Sequence, residues 1–395
     1  MKSIFLLLLP AIVLCSCHTQ KQEDESAHAV TLKGDVIHIG SESPVLSKLT
    51  KEMVKQEPYR MEFTTSGVVQ AIPSNYAEVA SPVSGRITKS FVRLGQKVDI
   101  LKINTCPLCG GKHLGHAITC TDHYASGEQF NLVRCDDCGF IFTQGAPVEA
   151  EIGRYYETPD YISHTDTRKG LMNRVYHEVR KYMLSRKAKL IKRTSGLSKG
   201  TLLDIGTGTG YFSNAMKERG WRVKAIEKSP QARSFAKEHF ELDVDTEDAL
   251  AGYADHSFDA ITLWHVMEHL EHLNETWEKL FKLLKERGVL IVAVPNPSSY
   301  DAEKYKEWWA AYDVPRHLWH FTPSVMQQFG VKHGFKLAEQ HPMPFDAFYV
   351  SMLTERYKGS RLSFLKGMWT GLLAWFSSLA KKERSSSMIY VFRKK

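Results

Sequence analysis

Cysteine is absent from everything after Cys138. Seven cysteines occur in 395 residues, at positions 15, 17, 106, 109, 120, 135 and 138, so they fall in two clusters and no disulfide framework can brace the carboxyl-terminal two thirds. Long apolar runs are scarce as well. The run at 4–14 is too short to span a bilayer as a mature helix, and 364–380 is slightly short, apolar enough for a buried or membrane-surface helix. Nor is there a large excess of one charge. The 52 Lys and Arg against 44 Asp and Glu leave +8, a weakly basic surface that fits an acidic partner but does not by itself argue for nucleic acid. At 43% hydrophobic content the chain is ordinary for a globular protein and long enough for two or more domains.

The stretch that is rich where the others are poor is 201–210, T-L-L-D-I-G-T-G-T-G. An apolar run (Leu202, Leu203, Ile205) feeds a turn with Gly206, Gly208 and Gly210, and a helical segment follows at once. Strand, glycine turn, helix lets a backbone approach a ligand at the carboxyl end of a parallel strand. Glu227 closes the next apolar segment, at the distance where an acidic side chain accepts hydrogen bonds from ribose hydroxyls. The spacing predicts a nucleoside. A dinucleotide pyrophosphate would want a glycine opening the helix, and Tyr211 and Phe212 stand there instead.

The D-x-G-x-G-x-G form, with Asp204 before the first glycine, resembles motif I of the class I S-adenosylmethionine (SAM)-dependent methyltransferases. The resemblance implies an α/β fold, a Rossmann-like doubly wound sheet over 199–395, with SAM as methyl donor. It implies Asp204, Gly206, Gly208, Gly210 and Glu227 as cofactor-binding residues, with Glu247 on the adenine side. Strands are expected at 258–264 and 288–294, a helix between them, and a final antiparallel pair at 334–338 and 387–392, with a helical insert at 345–383 before the last strand.

The fourth strand ends in H-V-M-E-H, and in small-molecule methyltransferases of this kind an E-H pair follows that strand beside the methyl donor. Glu268 and His269 are therefore expected as catalytic, Glu268 holding an acceptor and removing its proton. His265, Glu268 and His269 would share a helical face at i, i+3 and i+4. Some ubiquinone-pathway O-methyltransferases use a similar E-x-x-E-H cluster for a divalent cation, but His265 stands where the first glutamate would be. Downstream, P-R-H-L-W-H-F at 315–321 resembles a stretch of methyltransferases with zinc-ribbon knuckles, which makes His317 a second base candidate and Arg316 a ligand for an anionic acceptor; a structural turn anchored by Pro315, Trp319 and Phe321 is the alternative.

Cys106-Pro-Leu-Cys109-Gly and Cys135-Asp-Asp-Cys138-Gly are two C-x-x-C-G knuckles with 25 residues between them, close to zinc-ribbon spacing. Four thiolates at two tight turns predict a structural zinc in a module at 103–145, with disulfides as the alternative if the chain is exported. Cys120, His113, His116 and His123 are read as bystanders. Residues 146–198 are expected to form a helical linker or lid in which the basic residues of 181–193 form a solvated face. Tyr155, Tyr156, Tyr161, Ser163 and His164 either line the approach to the cofactor or pack.

The amino-terminal part reads differently. Residues 1–17 have the form of an export signal, and L-C-S-C at 14–17 resembles a bacterial lipobox, which would attach the protein to a membrane through Cys17. Residues 43–100 resemble the start of a periplasmic adaptor (membrane fusion) protein of an efflux pump, with E-V-A-S-P-V-S-G-R-I at 78–87 and a G-Q-K-V turn at 95–98. The pattern stops after about sixty residues, without the α-hairpin, second lipoyl half or barrel strands of an adaptor, and a chimeric join is expected between 99 and 104. SAM and reduced thiolates point to the cytoplasm, the lipobox to an envelope lipoprotein.

The function expected is methyl transfer from SAM to an oxygen or carbon of a small metabolite such as a sugar or lipid precursor. An efflux adaptor and a nucleic-acid methyltransferase are the alternatives. The second is disfavoured by L-W-H-V at the place where base-amino methylation carries D/N-P-P-aromatic, so no nucleic-acid partner is expected.

Overall fold

The structure is a computed structural model, and it describes residues 30–33, 36–41, 43–49, 99–156 and 171–395. The chain divides into two compact units, Met1–Ser84 and Gly85–Lys395. In the first, β1 (Val30–Lys33) pairs antiparallel with β2 (Val36–Ile39), Val30 opposite Ile39, and a single 3-10 turn covers Leu46–Lys48. The export signal with Cys17 and the adaptor-like patterns at 78–87 and 95–98 lie outside the described residues.

The second unit opens on a cysteine-bearing hairpin sheet of β3 (Leu114–Thr121), β4 (Gln129–Cys135) and β5 (Ile141–Gln144), all antiparallel. Strand β4 alternates: Phe130, Leu132 and Cys135 are buried, while Gln129 and Asn131 face solvent, the pattern of a sheet with one covered face. Residues 99–103, where a join between two unrelated pieces is expected, run antiparallel beside 145–148, just after β5. Leu101 donates its N–H to Ala146 O, Gly145 N–H donates to Leu101 O, and Val148 N–H donates to Asp99 O.

Helix α1 (Leu171–Ser195) then leads into the main sheet. Its strands are β6 (Thr201–Ile205), β7 (Arg222–Ile226), β8 (Val244–Asp245), β9 (Phe258–Trp264), β10 (Leu284–Pro295), β12 (Phe335–Pro342) and β13 (Ser387–Lys394), in the order β12-β13-β10-β9-β6-β7-β8. The five strands from β10 to β8 run parallel, and β13 alone runs against them, antiparallel to both β10 and β12. This is the doubly wound, Rossmann-like order that the glycine motif implies. Val289 to Val294 of β10 are all fully buried, as a parallel strand covered on both faces must be. The helices on the way are α2 (Tyr211–Lys217), α3 (Pro230–Phe240), α4 (Ala249–Gly252), α5 (Leu273–Leu283), α6 (Tyr300–Tyr305) and α7 (Pro323–Lys332), and the insert before β13 is a helical hairpin, α8 (Asp346–Tyr357) and α9 (Ser363–Ala380).

One small strand ties the two sheets together. β11 (Trp319–His320), carried by the loop after α6, pairs with Ile141 and Phe142 of β5. Phe140 stacks on Trp319 and Phe321 and meets Phe329 edge-on, and the cluster that buries Cys106 and Cys135 continues through these rings to Trp277 and the main sheet. The cysteine module therefore has no separate core.

Candidate active site

The chain runs from β6 outward to β7 and β8, then returns to β9 on the other side of β6. The crevice at the carboxyl ends of β6 and β9 is thus a topological switch point, where open α/β sheets bind ligands. Gly206, Gly208 and Gly210 all have left-handed φ, 69°, 56° and 82°. A Cβ on Gly206 would lie 2.3 Å from Val266 Cγ2, whereas at Gly208 it would meet nothing within 4 Å. The first glycine lets β6 pack under the turn after β9; the second leaves room above it. Glu227, at the end of β7, accepts the N–H of Gly208 at 2.8 Å and that of Ser229 at 2.9 Å, one on each oxygen. One lone pair on each oxygen is left for a ligand. Glu247 follows β8 in an acidic corner where burial, with Glu149 nearby, raises its carboxyl above the ordinary value.

Asp204 is placed differently from expectation. Only 1% exposed, it accepts hydrogen bonds from Thr262 Oγ1 and Ser213 Oγ, both at 2.8 Å, and Thr207 Oγ1 donates to Ser213 in turn. Its carboxylate braces the glycine turn from below, and burial raises its pKa.

The residues after β9 do not form the helical face that their spacing predicted. His265 takes a left-handed φ of 59°, a strained choice for a histidine, and a 3-10 turn covers Met267–His269. His265 consequently turns away from His269. Its Nδ1 lies 3.5 Å from Glu268 Oε1 and its Nε2 3.2 Å from Asp346 Oδ2. Burial disfavours its charge, but the carboxylates of Asp346 and Glu268 outweigh that and lift it to about 9.

The partner that joins Glu268 and His269 is His317. One ligand atom from each of these three side chains lies within 4.8 Å of the others, and the two rings meet edge to face at 4.5 Å. His269 Nδ1 lies 3.0 Å from Arg316 O, and His317 Nδ1 lies 2.9 Å from Ala311 O. A carbonyl only accepts, so both Nδ1 atoms carry a proton, and His317 Nε2 lies 3.8 Å from Asp313 Oδ2. Tyr156 OH also reaches His269 Nδ1, at 3.1 Å. Burial and His317 push His269 down to about 4. Glu268 is 1% exposed and neither oxygen has a hydrogen-bond partner; burial acts to raise its pKa, but His265 and the other histidines hold it below the usual carboxylate value. Two imidazoles and one carboxylate side by side can move a proton, and the same donor set can hold a divalent cation.

Arg316 is enclosed by partners within the fold. Only 3% exposed, it binds Asp122 at 3.0 Å, Asp313 at 2.6 Å and the carbonyl of Tyr155 at 2.9 Å. It is the pin of a structural turn, and its loop is stitched to the 268–270 turn by Leu318 N–H to Glu268 O and Trp319 Nε1 to Leu270 O. His320 is buried against Thr143.

Lys187 was overlooked among the basic residues of α1. It is half-buried rather than solvated: its Nζ sits 4.1 Å from the centre of the Trp264 ring, and desolvation, resisted by Asp204 and Asp346, lowers it to about 8. Asp346, the first residue of α8, was missed too. Tyr161, Ser163 and His164 lie outside the described residues.

Cys106, Cys109, Cys135 and Cys138 come together as expected, their Sγ atoms within 4.8 Å of one another, with Cys106 to Cys138 and Cys109 to Cys135 both at 3.5 Å. All four are free thiols, and Cys120 is buried elsewhere.

Residues 177–340 match the model of a methyltransferase domain family. The chain is 24% identical over 144 residues to an uncharacterized methyltransferase of Staphylococcus carnosus, covering 36% of this chain and 68% of that protein. It is 31% identical over 114 residues to a ubiquinone biosynthesis O-methyltransferase of Nitrosomonas europaea, covering 27% of this chain and 48% of that one, and 29% identical over 129 residues to its mitochondrial counterpart from Schizosaccharomyces pombe, covering 31% and 47%. The chain thus spans about half the length of these ubiquinone-pathway relatives. A solved SAM-dependent methyltransferase from Archaeoglobus fulgidus superposes with a TM-score of 0.36 at 18% identity, over 54% of this chain and 94% of that one. With the seven-stranded order and the matched segment agreeing, residues 177–340 carry a methyltransferase domain on a Rossmann-like sheet.

Proposed function

We propose that the protein methylates an oxygen or carbon of a small metabolite, using SAM as donor. The observation that carries this reading is an adjacency: the glycine turn and Glu227 end β6 and β7, and the Glu268, His269 and His317 cluster begins directly after β9, the other neighbour of β6. Donor and acceptor sites then flank one switch point. Two of the relatives named above methylate oxygen by name, which supports an oxygen acceptor.

Glu227 would hold the ribose hydroxyls with its two remaining lone pairs, and the open side of Gly208 admits the ligand. SAM, when bound, supplies a methyl group on a sulfonium, and the sulfur keeps the bonding electron pair as the methyl leaves. His269, neutral near pH 7, takes the acceptor's proton on Nε2, and the Glu268 carboxylate stabilises the imidazolium that forms. His317 faces the same point and holds the ring of His269 edge-on. Lys187, Trp264 and Asp346 wall off this side of the crevice from water.

We assign a structural zinc to Cys106, Cys109, Cys135 and Cys138. Sulfurs 3.5 Å apart are too far for a disulfide, which needs about 2.05 Å, and four thiolates leave a metal no open position for chemistry.

Calorimetry with the full chain tests the donor site: SAM binds wild type, and equal affinity for Gly206→Val would remove the assignment. Transfer of a labelled methyl from SAM to a panel of hydroxylated small molecules tests the acceptor class. Activity that disappears with a chelator and returns with Mg²⁺ or Mn²⁺ would assign the Glu268 cluster to a cation instead of a proton.

A further inference from the structure

Helix α9 is inside out. Its buried face is made of small residues, Gly367, Thr370, Gly371, Ala374 and Ser378, and they let it press against α8. A Cβ on Gly367 would stand 2.5 Å from Met352 Cα, and one on Gly371 2.7 Å from Phe348 Cα. The opposite face carries Leu365, Trp369, Phe376 and Leu379, exposed by 61, 61, 54 and 65%. An amphipathic helix in water shows the reverse arrangement, and an apolar stripe of this length marks an interaction surface.

The charge along the stripe's own segment has one sign, bounded by the buried Glu355 and the exposed Glu383. From 356 to 382 the chain carries Arg356, Lys358, Arg361, Lys366, Lys381 and Lys382 and no acidic residue. A second copy of the chain docking here would set this basic rim against itself. An anionic surface would be complementary. Trp369 and Trp375 are side chains that favour the boundary between headgroup and acyl chain, and no helix among the described residues is long and apolar enough to cross a membrane.

We infer that α9 lies flat on a bilayer containing anionic lipid, with its apolar stripe at the acyl boundary and the flanking Lys and Arg against lipid phosphates. The hairpin is joined to the active site, since α8 begins with Asp346 beside His265, so a docked protein would hold one wall of its crevice near the lipid. The inference stands apart from methyl transfer, because binding is read without substrate.

The test is flotation of the full-length protein with vesicles of phosphatidylcholine alone or mixed with phosphatidylglycerol. Wild type should float with the anionic vesicles about tenfold more than with the neutral ones, less as salt rises. The double variant Trp369→Glu, Phe376→Glu should lose about tenfold of that binding while keeping its circular dichroism, since both side chains point away from the fold. Lys366→Glu should weaken binding to the anionic vesicles only. Equal flotation of wild type and double variant would assign attachment to another part of the chain, such as the apolar run at 4–14, and overturn the proposal. So would a dimer in sedimentation that the double variant abolishes without any vesicle binding.

Discussion

Two groups of ligand-type side chains stand about the molecule, and they are assembled in opposite ways. The four cysteines come from two tight turns, each C-x-x-C followed by a glycine with positive φ, Gly110 and Gly139. Each half is complete within five residues. Glu268, His269 and His317 come from two loops 48 residues apart or more, and long-range ties such as the pairing of β11 with β5 and the bonds from Leu318 and Trp319 hold the second loop over the first. The first group is local chemistry and serves the fold. The second exists only because of the fold.

The largest effect should come from breaking the local group. If the four cysteines hold the proposed zinc, Cys135→Ser should lose it in elemental analysis and lower the melting temperature by on the order of ten degrees, because this side chain is wholly buried in the shared core. Unchanged melting without metal would show that the module needs no ion. Gly206→Val comes next. Its side chain would collide with Val266 and requires an unfavourable φ, so SAM binding should fall below detection in calorimetry while the cysteine group keeps its metal.

The assembled group should respond to a milder change. Glu268→Gln should reduce methyl transfer by about 10²–10⁴ and leave SAM affinity within about twofold. A loss confined to SAM affinity would move Glu268 to the donor side. The smallest effect concerns Lys187. Its pKa in the folded state is about 8 against an ordinary 10.5, so between these values the unfolded chain binds more protons and stability rises with pH. Relative to Lys187→Met, wild type should gain ~1–2 kcal/mol in denaturant unfolding between about pH 8 and 10.5, after allowing for partial exposure. A pH-independent difference would place the amine in water.

The same contrast explains how much was legible in the sequence. The strands β6, β9, β10 and β13, the glycine turn, Glu227 and both cysteine knuckles announce themselves through local pattern: apolar runs, φ that only glycine tolerates, and fixed thiol spacing. Arg316 does not. In the sequence it is a cation in a run of aromatics and histidines, and its decisive partner, Asp122, is 194 residues away. His265 follows a helical spacing but sits at a left-handed φ, which redirects it to Asp346. Lys187 shares its stretch of helix with lysines and arginines that do face solvent, and only Asp204 and Asp346, brought up from distant strands and helices, distinguish it. Asp204 was recognised by position, yet its hydrogen bonds to Ser213 and Thr262 could be seen only once β9 lay beside β6.

The two-residue strand β11 also limits how this protein can be taken apart. Trp319 and His320 belong by sequence to the acceptor loop and by hydrogen bonding to the cysteine module. A designer who transplants the module at 103–145 into another methyltransferase as a cassette would leave Phe140 and Phe142 without their rings and β5 with a bare edge. The smallest exchangeable part therefore includes the loop at 313–321, and a graft that carries it would be expected to carry acceptor preference along with the metal.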